Sequence, residues 1–382
     1  MEKKKQRVMI KWLADNIISP LGHTSGENYR AVCRGESGIV PWKDPAGAPI
    51  SVSCLDMNKL DRDFQKVCHP HGEYTMVEKT MLLSASLAVE EAGIDASSPR
   101  TGFVLSTTKG NIHLLADPSH GFGKDRIHLW HTSGLLSGFF KNPGAPLTVS
   151  NACISGACAQ IAAQKMLEYG LYDHVVVTGV DMISDFIVSG FQSFKSLDAG
   201  RCRPFDARRA GLNLGEAAAT IVYGKNNGSG IYLMRGSIRN DANHISGPSR
   251  TGEGLYRAIT SVMQDLVPKE IAFISAHGTA TIYNDQMEAI AFSRSGLEQT
   301  PVFSLKAHFG HTLGAAGVLE SIIAKHALEE GIILPSLGYE EPGVEGNLNV
   351  CQKTEKTDER YIIKTLSGFG GGNAALLFGK QL

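Results

Sequence analysis

Short apolar runs typical of strands alternate with longer runs of helical periodicity along most of this chain. This alternation predicts an α/β fold in which the strands pair largely in parallel. The predicted strands lie at 102–106, 174–178, 219–223, near 231, at 271–276 and at 302–305. The predicted helices lie at 75–93, 255–266 and 313–330, and the last of them stops at Gly331, a residue that favours helix ends.

The pattern breaks at 225–230, where polar turn formers cluster. We therefore predict an N-terminal half at 1–226 and a C-terminal half at 227–382. No repeat of residue identity links the halves, yet each places a helix rich in small residues after a strand. The stretches 40–74 and 110–145 show no clean periodicity, so we expect loops or a cap over the functional site there.

Composition narrows the class of protein. With 382 residues, of which 42% are hydrophobic and 20% charged, the chain can bury a large core as a soluble globular protein does. A net charge of −1 argues against an overall nucleic-acid footprint, and we expect no such partner. Seven cysteines at irregular spacings fit a reducing compartment. No signal-type apolar region and no run of 18 apolar residues occur, so we expect a cytoplasmic protein without a membrane span.

The first candidate for chemistry is Cys153, which lies between the extended run 146–150 and a helical run beginning at Ile154. Unpaired N–H groups and the dipole at a helix N-terminus favour an anion, so this position is expected to lower the thiol pKa and to supply a nucleophilic thiolate. The alternative is a small buried hydrophobe, which is what a free cysteine commonly is.

Two further segments carry polar side chains where predicted strands end. His277, Gly278 and Thr279 follow the strand at 271–276, and Lys306 with His311 follows the strand at 302–305. Open α/β sheets place ligands and catalytic groups at such strand ends. A single histidine is more often structural than catalytic, but two at strand ends favour a site.

Six blocks in this chain resemble the elongating β-ketoacyl-acyl carrier protein synthases. They are NACISG at 151–156, RPFD at 203–206, LGEA at 214–217, AHGT at 276–279, KAHFGHTLGAAG at 306–317 and GFGGGN at 368–373. Their order and spacing are similar to those of the family, and the resemblance runs from SPLG at 19–22 to the end of the chain.

The resemblance implies a duplicated thiolase-like fold with a five-layered α-β-α-β-α core. It also implies a decarboxylative Claisen condensation, in which an acyl group held as a thioester on a cysteine reacts with malonyl-acyl carrier protein. The N-terminal half would then carry the nucleophile and the C-terminal half the catalytic histidines. The product would be a β-ketoacyl-acyl carrier protein in fatty acid or polyketide-like biosynthesis.

The same resemblance implies a role for each site residue. Cys153 would be the nucleophile, and His277 and His311 would donate hydrogen bonds, each through Nε2, to the malonyl thioester oxygen. Lys306 would orient the His277 region, and Asp285 would support the site. Glu288 would pair with His277, the alternative being a solvated carboxylate on a helix. The backbone N–H groups of Cys153 and Phe369 would form an oxyanion hole. Phe369 also fits the family's gate residue, although a core aromatic is the usual interpretation.

Two alternatives stay open. One is a non-condensing partner subunit similar to chain-length factors, which typically lack the cysteine. The other is a thiolase-like acyltransferase, although thiolases carry a second cysteine where this chain has Gly368-Phe369-Gly370. The chain departs from the synthase pattern at 12–16, Ala210, Ser367 and Gly372, and the last two are expected to reshape the acyl pocket.

Partners follow from the resemblance as well. An acyl carrier protein is acidic, so Arg203 and Arg208, within the arginine-rich segment 201–209, are candidate docking residues. The alternative is that these arginines pair internally with Asp198, Asp206 or Glu216. We expect a homodimer, with a heterodimer as the alternative, and no cofactor. Two histidine-containing groups, at 68–71 and at 128 and 131, lack the spacing of a metal site, so no metal is expected.

Overall fold

The computed structural model describes residues 9–43, 47, 49–116, 119 and 121–381, and the charged N-terminal run 1–8 lies outside them. Its strands are β1 (Ile10–Ile18), β2 (Ile39–Lys43), β3 (Pro49–Ser53), β4 (Thr101–Ser106), β5 (Leu147–Val149), β6 (His174–Asp181), β7 (Leu214–Gly215), β8 (Ala217–Lys225), β9 (Gly230–Asn240), β10 (Ile271–Ser275), β11 (Val302–Phe303), β12 (Ile332–Ile333), β13 (Glu355–Lys356), β14 (Tyr361–Gly368) and β15 (Gly372–Gln381).

The α-helices are α1 (Ser25–Cys33), α2 (Met57–Cys68), α3 (Met76–Ala92), α4 (Leu129–Phe139), α5 (Ser155–Glu168), α6 (Asp185–Ser193), α7 (Glu253–Met263), α8 (Ile282–Arg294), α9 (Lys306–Phe309) and α10 (Ala316–Glu330). Short 3₁₀ turns occupy Ile112–Leu115, Lys124–Ile127, Pro268–Glu270, Leu313–Ala315 and Phe369–Gly371. Among the described helices, none combines the length and the apolar character that a membrane crossing needs.

The central sheet is built from two copies of one topology. Its strand order is β11-β10-β14-β15-β9-β1-β8-β6-β4-β5. Within the N-terminal half, β5-β4-β6 pair in parallel and β6-β8-β1 antiparallel. The C-terminal half repeats this with β11-β10-β14 and β14-β15-β9. The halves meet at a short antiparallel pairing of β1 with β9, and the predicted division at 226/227 falls in the link between β8 and β9.

Helices complete the layers. α3 packs on β1, β6 and β8 at the outside of the N-terminal half, and α7 packs on β9, β14 and β15 at the outside of the C-terminal half. α5 and α10 contact each other and strands of both halves, so they form the middle layer. The architecture is therefore the five-layered α-β-α-β-α core, and the fold class expected from the resemblance is confirmed.

The structure corrects two expectations about the fold. The sheet is mixed and not largely parallel: β1, β8, β9 and β15 pair antiparallel with their neighbours, and the tight turn at 368–372 folds β15 back on β14. The stretches 40–74 and 110–145 are not merely loops, since they contain β2, β3, α2 and α4. Helix α2 forms because Asp56 caps its N-terminus and because Leu60 and Phe64, four residues apart, bury one face.

Candidate active site

The structure brings Cys153, His277 and His311 together. Sγ of Cys153 and one ring nitrogen of each histidine lie within 4.8 Å of one another. The two imidazole rings meet edge to face, with their centroids 5.1 Å apart. All three side chains are buried. Cys153, which lies more than a hundred positions from either histidine in sequence, thus joins them in one cluster.

Strand ends and helix starts place these residues. Cys153 lies between β5 and α5, and Ala152 before it has a positive φ of 45° that turns the chain into the helix. His277 follows β10, and His311 lies between α9 and the turn Leu313–Ala315 that precedes α10. Since β10 and β11 are parallel, the carboxyl ends of both strands open on the same side of the sheet.

The close crossing of α5 and α10 allows the two halves to meet at the cluster. A Cβ added to Gly156 would lie 2.9 Å from Cα of Gly317, and one added to Gly317 would lie 2.6 Å from the backbone nitrogen of Ala157. These distances are shorter than real Cβ contacts, so glycine is required on both helices. The first turns of α5 and α10 can therefore touch through their backbones.

The ionisation state of Cys153 differs from the sequence-based expectation. Burial raises the pKa of the Cys153 thiol to about 11, although Lys306 and the backbone N–H groups of Phe369 and of Cys153 itself act in the opposite direction. The position before a helix alone predicted a lowered pKa, and that prediction is wrong for the unliganded site, because loss of hydration outweighs the local dipoles. At neutral pH the free site therefore holds a thiol.

The glycine-rich turn after β14 comes within contact distance of the cysteine. A Cβ on Gly368 would lie 3.2 Å from the backbone nitrogen of Cys153. The backbone N–H groups of Phe369 and Cys153 both act on Sγ and favour its anionic form. Two N–H donors that converge on one point suit an oxyanion, and these are the two that the family resemblance implied.

Phe369 packs among aromatic side chains over this cluster. Its ring stacks on Phe191 at 5.6 Å between centroids and meets Phe194 edge to face at 5.2 Å. The turn that carries it is bonded to a second loop, since Gly370 N–H donates to the Ile245 carbonyl at 2.7 Å. Phe369 is 36% exposed as a residue, so it is not the core aromatic of the alternative interpretation.

A cavity of about 360 Å³ opens onto the three reactive side chains. Its wall combines Cys153, His277 and His311 with Phe191, Phe194, Leu212 and Phe369. A mostly apolar pocket with a few convergent polar groups is the usual form of a small-molecule site. The aromatic and aliphatic wall suits an acyl chain.

Hydrogen bonds assign the tautomer of each histidine. Nζ of Lys306, which is a donor, lies 3.4 Å from Nδ1 of His277. The backbone N–H of Leu313 donates to Nδ1 of His311 at 3.4 Å. Nδ1 accepts in both rings, so the proton of each neutral imidazole lies on Nε2. Nε2 of His311 has no hydrogen-bond partner although it is buried, so it is an unused donor at the cavity.

Both rings are held neutral. Burial lowers the pKa of His277 and of His311 well below the usual value of 6.5, and the positive charge of Lys306 lowers each further. A neutral ring with its Nδ1 already occupied can donate through Nε2 but offers no free lone pair. The two histidines are therefore built as hydrogen-bond donors and not as general bases.

Lys306 is fixed by a partner that the sequence analysis missed. Its ammonium group pairs with Glu320 of α10 and donates to the His277 carbonyl at 3.0 Å. Lys364 of β14 contacts the other carboxylate oxygen of Glu320 at 2.6 Å. The sequence did carry a sign of this pair, because each residue is a charge within an otherwise apolar segment. Glu320 lies in the apolar helical run 316–324, and Lys364 lies in the apolar strand 361–366.

Glu288 and Asp285 act through the main chain. The two oxygens of Glu288 accept the N–H groups of His277 at 2.9 Å and of Gly278 at 2.7 Å, so Glu288 holds the loop and not the imidazole ring. It is fully buried, which excludes the solvated-carboxylate alternative. Asp285 accepts from the N–H groups of Phe205 at 2.7 Å and Ala280 at 3.2 Å and touches none of the three reactive side chains. Burial raises the Asp285 pKa to about 7.

The arginine segment has one of the expected internal partners, Asp206, and one that was not expected, Glu340. Arg208 pairs with Glu340, and Arg203 lies 3.7 Å from the same carboxylate. Arg208 also contacts Asp206 at 3.5 Å, while neither arginine pairs with Asp198 or Glu216. The Arg208 and Arg203 side chains remain 50% and 36% exposed, so each is partly available to a partner.

The reactive cluster is also, among the described residues, the group of side chains that could hold a metal ion. A metal there would need deprotonated Sγ and free ring nitrogens. Nδ1 of both rings already accepts a hydrogen bond and Nε2 carries the proton, so neither ring offers a free lone pair and the arrangement fits hydrogen-bond donation better than metal binding. Cys68, His69, His71, His128 and His131 do not belong to this cluster.

Comparison with known proteins identifies the family. The model of the β-ketoacyl synthase N-terminal domain matches residues 15–226, and that of the β-ketoacyl synthase C-terminal domain matches residues 232–340. The 3-oxoacyl-(acyl-carrier-protein) synthase 2 of Vibrio harveyi is 26% identical, over 98% of this chain and 99% of its own length. The protein of the same name from Coxiella burnetii is 25% identical, over 99% of each chain.

A solved structure supports the fold over the whole length. The ketosynthase ApeO of Xenorhabdus doucetiae, solved in complex with its chain length factor ApeC, superposes with a TM-score of 0.84 and covers 100% of both chains at 23% identity. The two family matches together span most of the sequence. This chain therefore belongs to the β-ketoacyl synthase family, a family of condensing acyltransferases.

Proposed function

We propose that this protein joins an acyl group, held on Cys153, to a malonyl unit with loss of carbon dioxide. One observation carries the proposal: Sγ of Cys153 and a ring nitrogen from each of two histidines lie within 4.8 Å. Each histidine has Nδ1 occupied and its proton on Nε2. The site thus combines a nucleophile with two donors that suit a developing enolate oxygen.

The first half-reaction transfers the acyl group. Sγ attacks the carbonyl carbon of the acyl thioester, and the thiol proton leaves with the departing carrier thiolate. The N–H groups of Cys153 and Phe369 act at this point and stabilise the tetrahedral oxyanion. Because the resting thiol is protonated, its proton is transferred during the acyl exchange and ends on the departing carrier thiol.

The second half-reaction forms the carbon–carbon bond. Malonyl-acyl carrier protein loses carbon dioxide, and the electron pair of the broken bond becomes an enolate whose oxygen accepts from Nε2 of His277 and of His311. The enolate carbon attacks the acyl carbonyl, and the Cys153 thiolate leaves and takes up a proton. The product is a β-ketoacyl-acyl carrier protein of fatty acid or polyketide-like synthesis.

The alternatives are less well supported by this site. A chain-length-factor-like subunit has no use for a cysteine among two histidine donors. A thiolase-like acyltransferase needs a second thiol, and Cys351 lies elsewhere, with its backbone N–H bonded to the Val302 carbonyl at 2.9 Å. Decarboxylative elongation uses every member of the cluster.

The test is product analysis with acyl and malonyl thioesters of a carrier protein. The wild-type enzyme is expected to release carbon dioxide and a β-ketoacyl product longer by the malonyl-derived two-carbon unit, and Cys153→Ser is expected to form none. Cys158→Ser is the matched control, because this neighbouring thiol lies one turn along α5. Equal product from wild type and Cys153→Ser would reject the proposal.

A carrier protein is the proposed partner, and a second synthase-like chain is the proposed dimer mate. β5 is the last strand of the sheet, so its outer edge has no neighbouring strand among the described residues. Leu147 on β5 and Trp130 on the adjoining α4 are 37% and 62% exposed, which is unusual for large apolar side chains.

We propose a homodimer through this edge, with a related chain as the alternative mate. Leu147→Asp is expected to convert the dimer to a monomer in light-scattering measurements. A wild-type monomer would reject the assignment.

All seven cysteines are free, which supports the cytoplasm as the compartment.

A further inference from the structure

Lys364 is an unusual residue for its position. It lies at the centre of β14, between β10 and β15, and its side chain is 0% exposed. Ile362 and Leu366, which point to the same face of the sheet, belong to the main hydrophobic core. Burying an ammonium group there is costly unless its charge and its donors are satisfied.

The Lys364 ammonium makes two hydrogen bonds and one ion pair. Nζ donates to the carbonyls of Ser275 and Ala276, each at 3.0 Å, and contacts Oε2 of Glu320 at 2.6 Å. Ser275 ends β10, and Ala276 directly precedes His277. Lys364 therefore binds the last carbonyl of β10 and the carbonyl of the residue that links β10 to His277.

Glu320 links Lys364 to the other lysine of the site. Its Oε1 pairs with Lys306, and its Oε2 faces Lys364, so one carboxylate is shared by two buried ammonium groups. Lys306 in turn reaches Nδ1 of His277. Glu288 binds the backbone of the His277 loop. The two positive charges of Lys306 and Lys364 are thus matched by the two negative charges of Glu288 and Glu320.

We propose that Lys364 is a positioning residue for the condensation: it fixes the end of β10 and, through Glu320, holds Lys306 against Nδ1 of His277, so that Nε2–H of His277 points to the substrate. The inference rests on the proposed function and deepens it. Lys364 does not line the cavity, so its effect reaches the substrate only through His277 and Lys306.

The protonation of the histidines distinguishes this positioning role from a role in packing alone, because Lys364 affects their pKa. The positive charge of Lys364 contributes to the lowered pKa of both His277 and His311. Its removal leaves an excess negative charge, which raises the histidine pKa. The rings are then protonated at a higher pH, and a proton on Nδ1 of His277 repels Lys306. The charged and titratable groups that face His277 are Cys153, Glu288, Lys306, His311, Glu320 and Lys364.

The Lys364 pKa supplies a second signature. Burial lowers it to about 8, with Glu320 acting in the opposite direction. Lys364 thus loses its charge as the pH rises through about 8, whereas an arginine would stay charged. The pH at which the decarboxylation rate falls on the alkaline side is therefore expected to depend on the residue at 364.

The experiment compares Lys364→Met, Lys364→Gln and Lys364→Arg with wild type. Malonyl decarboxylation and acylation of Cys153 are measured separately from about pH 6 to about pH 10. Lys364→Met is expected to lose about tenfold or more in decarboxylation, while acylation changes much less. Its acid limb should move to higher pH, and Lys364→Arg should restore part of the rate and move the alkaline limb to higher pH.

Lys325→Met is the matched control, since Lys325 is another largely buried lysine, on α10, whose carboxylate partners Asp15 and Glu329 lie outside the site. It is expected to lower the melting temperature without altering either pH profile. Lys364→Gln keeps hydrogen bonding to the carbonyls, and it replaces Lys364→Met if the latter does not fold. Equal losses in both half-reactions, or an unchanged pH profile, would overturn the inference. A wild-type enzyme that decarboxylates nothing would instead reject the proposed function.

Discussion

Burial sets the protonation state of Cys153, His277 and His311. It raises the pKa of Cys153 to about 11 and lowers the pKa of both histidines well below 6.5, so all three side chains rest in their neutral forms. A neutral site accepts an acyl chain without desolvating a bare charge. The donors that matter, two backbone N–H groups and two Nε2–H groups, then act only where substrate charge develops.

Substitution of a histidine should slow one half-reaction much more than the other. His311→Ala removes an unpartnered donor and is expected to lower malonyl decarboxylation by about 10²-fold or more. Acylation of Cys153 should persist, because its oxyanion donors are backbone groups. Single-turnover assays of each step measure the split, with His308→Ala as the control, since His308 is a buried histidine bonded to the Glu36 carbonyl. Loss of acylation with intact decarboxylation would reverse the assigned roles.

The raised thiol pKa predicts how Cys153 reacts without substrate. Only the thiolate is alkylated, so a pKa near 11 means that the rate rises by about tenfold per pH unit across the neutral range. Iodoacetamide labelling with peptide mapping measures this from about pH 7 to about pH 9. The background should be Cys33→Ser, because Cys33 is exposed and would otherwise be labelled first. A rate that levels off near neutral pH would mean that the helix N-terminus prevails over burial.

The three clustered residues Cys153, His277 and His311 could be singled out from sequence, because each follows a recognisable strand and lies in a family block. Glu320 and Lys364 were missed, since nothing in a linear pattern shows that a charge in a helix and a charge in a strand share one buried pair. The pKa direction at Cys153 was also beyond reach, because it depends on burial by residues from distant segments.

At the scale of elements, the contact of α5 with α10 decides whether a site exists. Cys153 lies just before α5 and His311 just before the turn that leads into α10, and Gly156 and Gly317 let the two helix backbones meet. The sequence indicated both helices and the stop at Gly331, where φ is 66°. It did not indicate β1, whose buried Asp15 and Asn16 obscure the apolar pattern of a strand.

Gly156→Ala should push the helices apart. The new Cβ would lie 2.9 Å from backbone atoms of Gly317 and Val318, so the expected cost is about 1–3 kcal/mol of unfolding free energy. Activity should fall further, because the shift separates Cys153 from His311. Gly134→Ala in α4 is the control, since its Cβ meets nothing within 4 Å and should stabilise by up to about 1 kcal/mol. Chemical denaturation and the condensation rate measure both, and an active Gly156→Ala enzyme would contradict the crossing argument.

At the scale of the whole molecule, the duplicated sheet places the cysteine of one half against the histidines of the other. The family resemblance predicted this duplication, whereas residue identity did not, because the halves share strand order and not side chains. This molecule has a net charge of only −1, so docking of the proposed acidic carrier would depend on local positive charge.

Arg208→Glu should weaken that recruitment. The half-exposed side chain would lose its positive charge and repel Glu340, so the KM for carrier-bound substrate should rise by about tenfold at low salt, with kcat little changed. Turnover of a small thioester mimic should stay near wild type. Arg203→Glu is expected to act in the same direction, and Arg257→Glu on α7, with a side chain 65% exposed, is the control. Equal loss with both substrates would mean that the arginines support the fold.

The most direct test of the central claim is intact-protein and peptide mass spectrometry of the acylated enzyme during a malonyl chase. An acyl-carrier substrate should add one acyl mass to the peptide that contains Cys153. Malonyl-carrier protein should then remove that mass, with release of carbon dioxide and a β-ketoacyl thioester. An acyl group found on another residue, or one that malonyl-carrier protein leaves in place, would contradict the account.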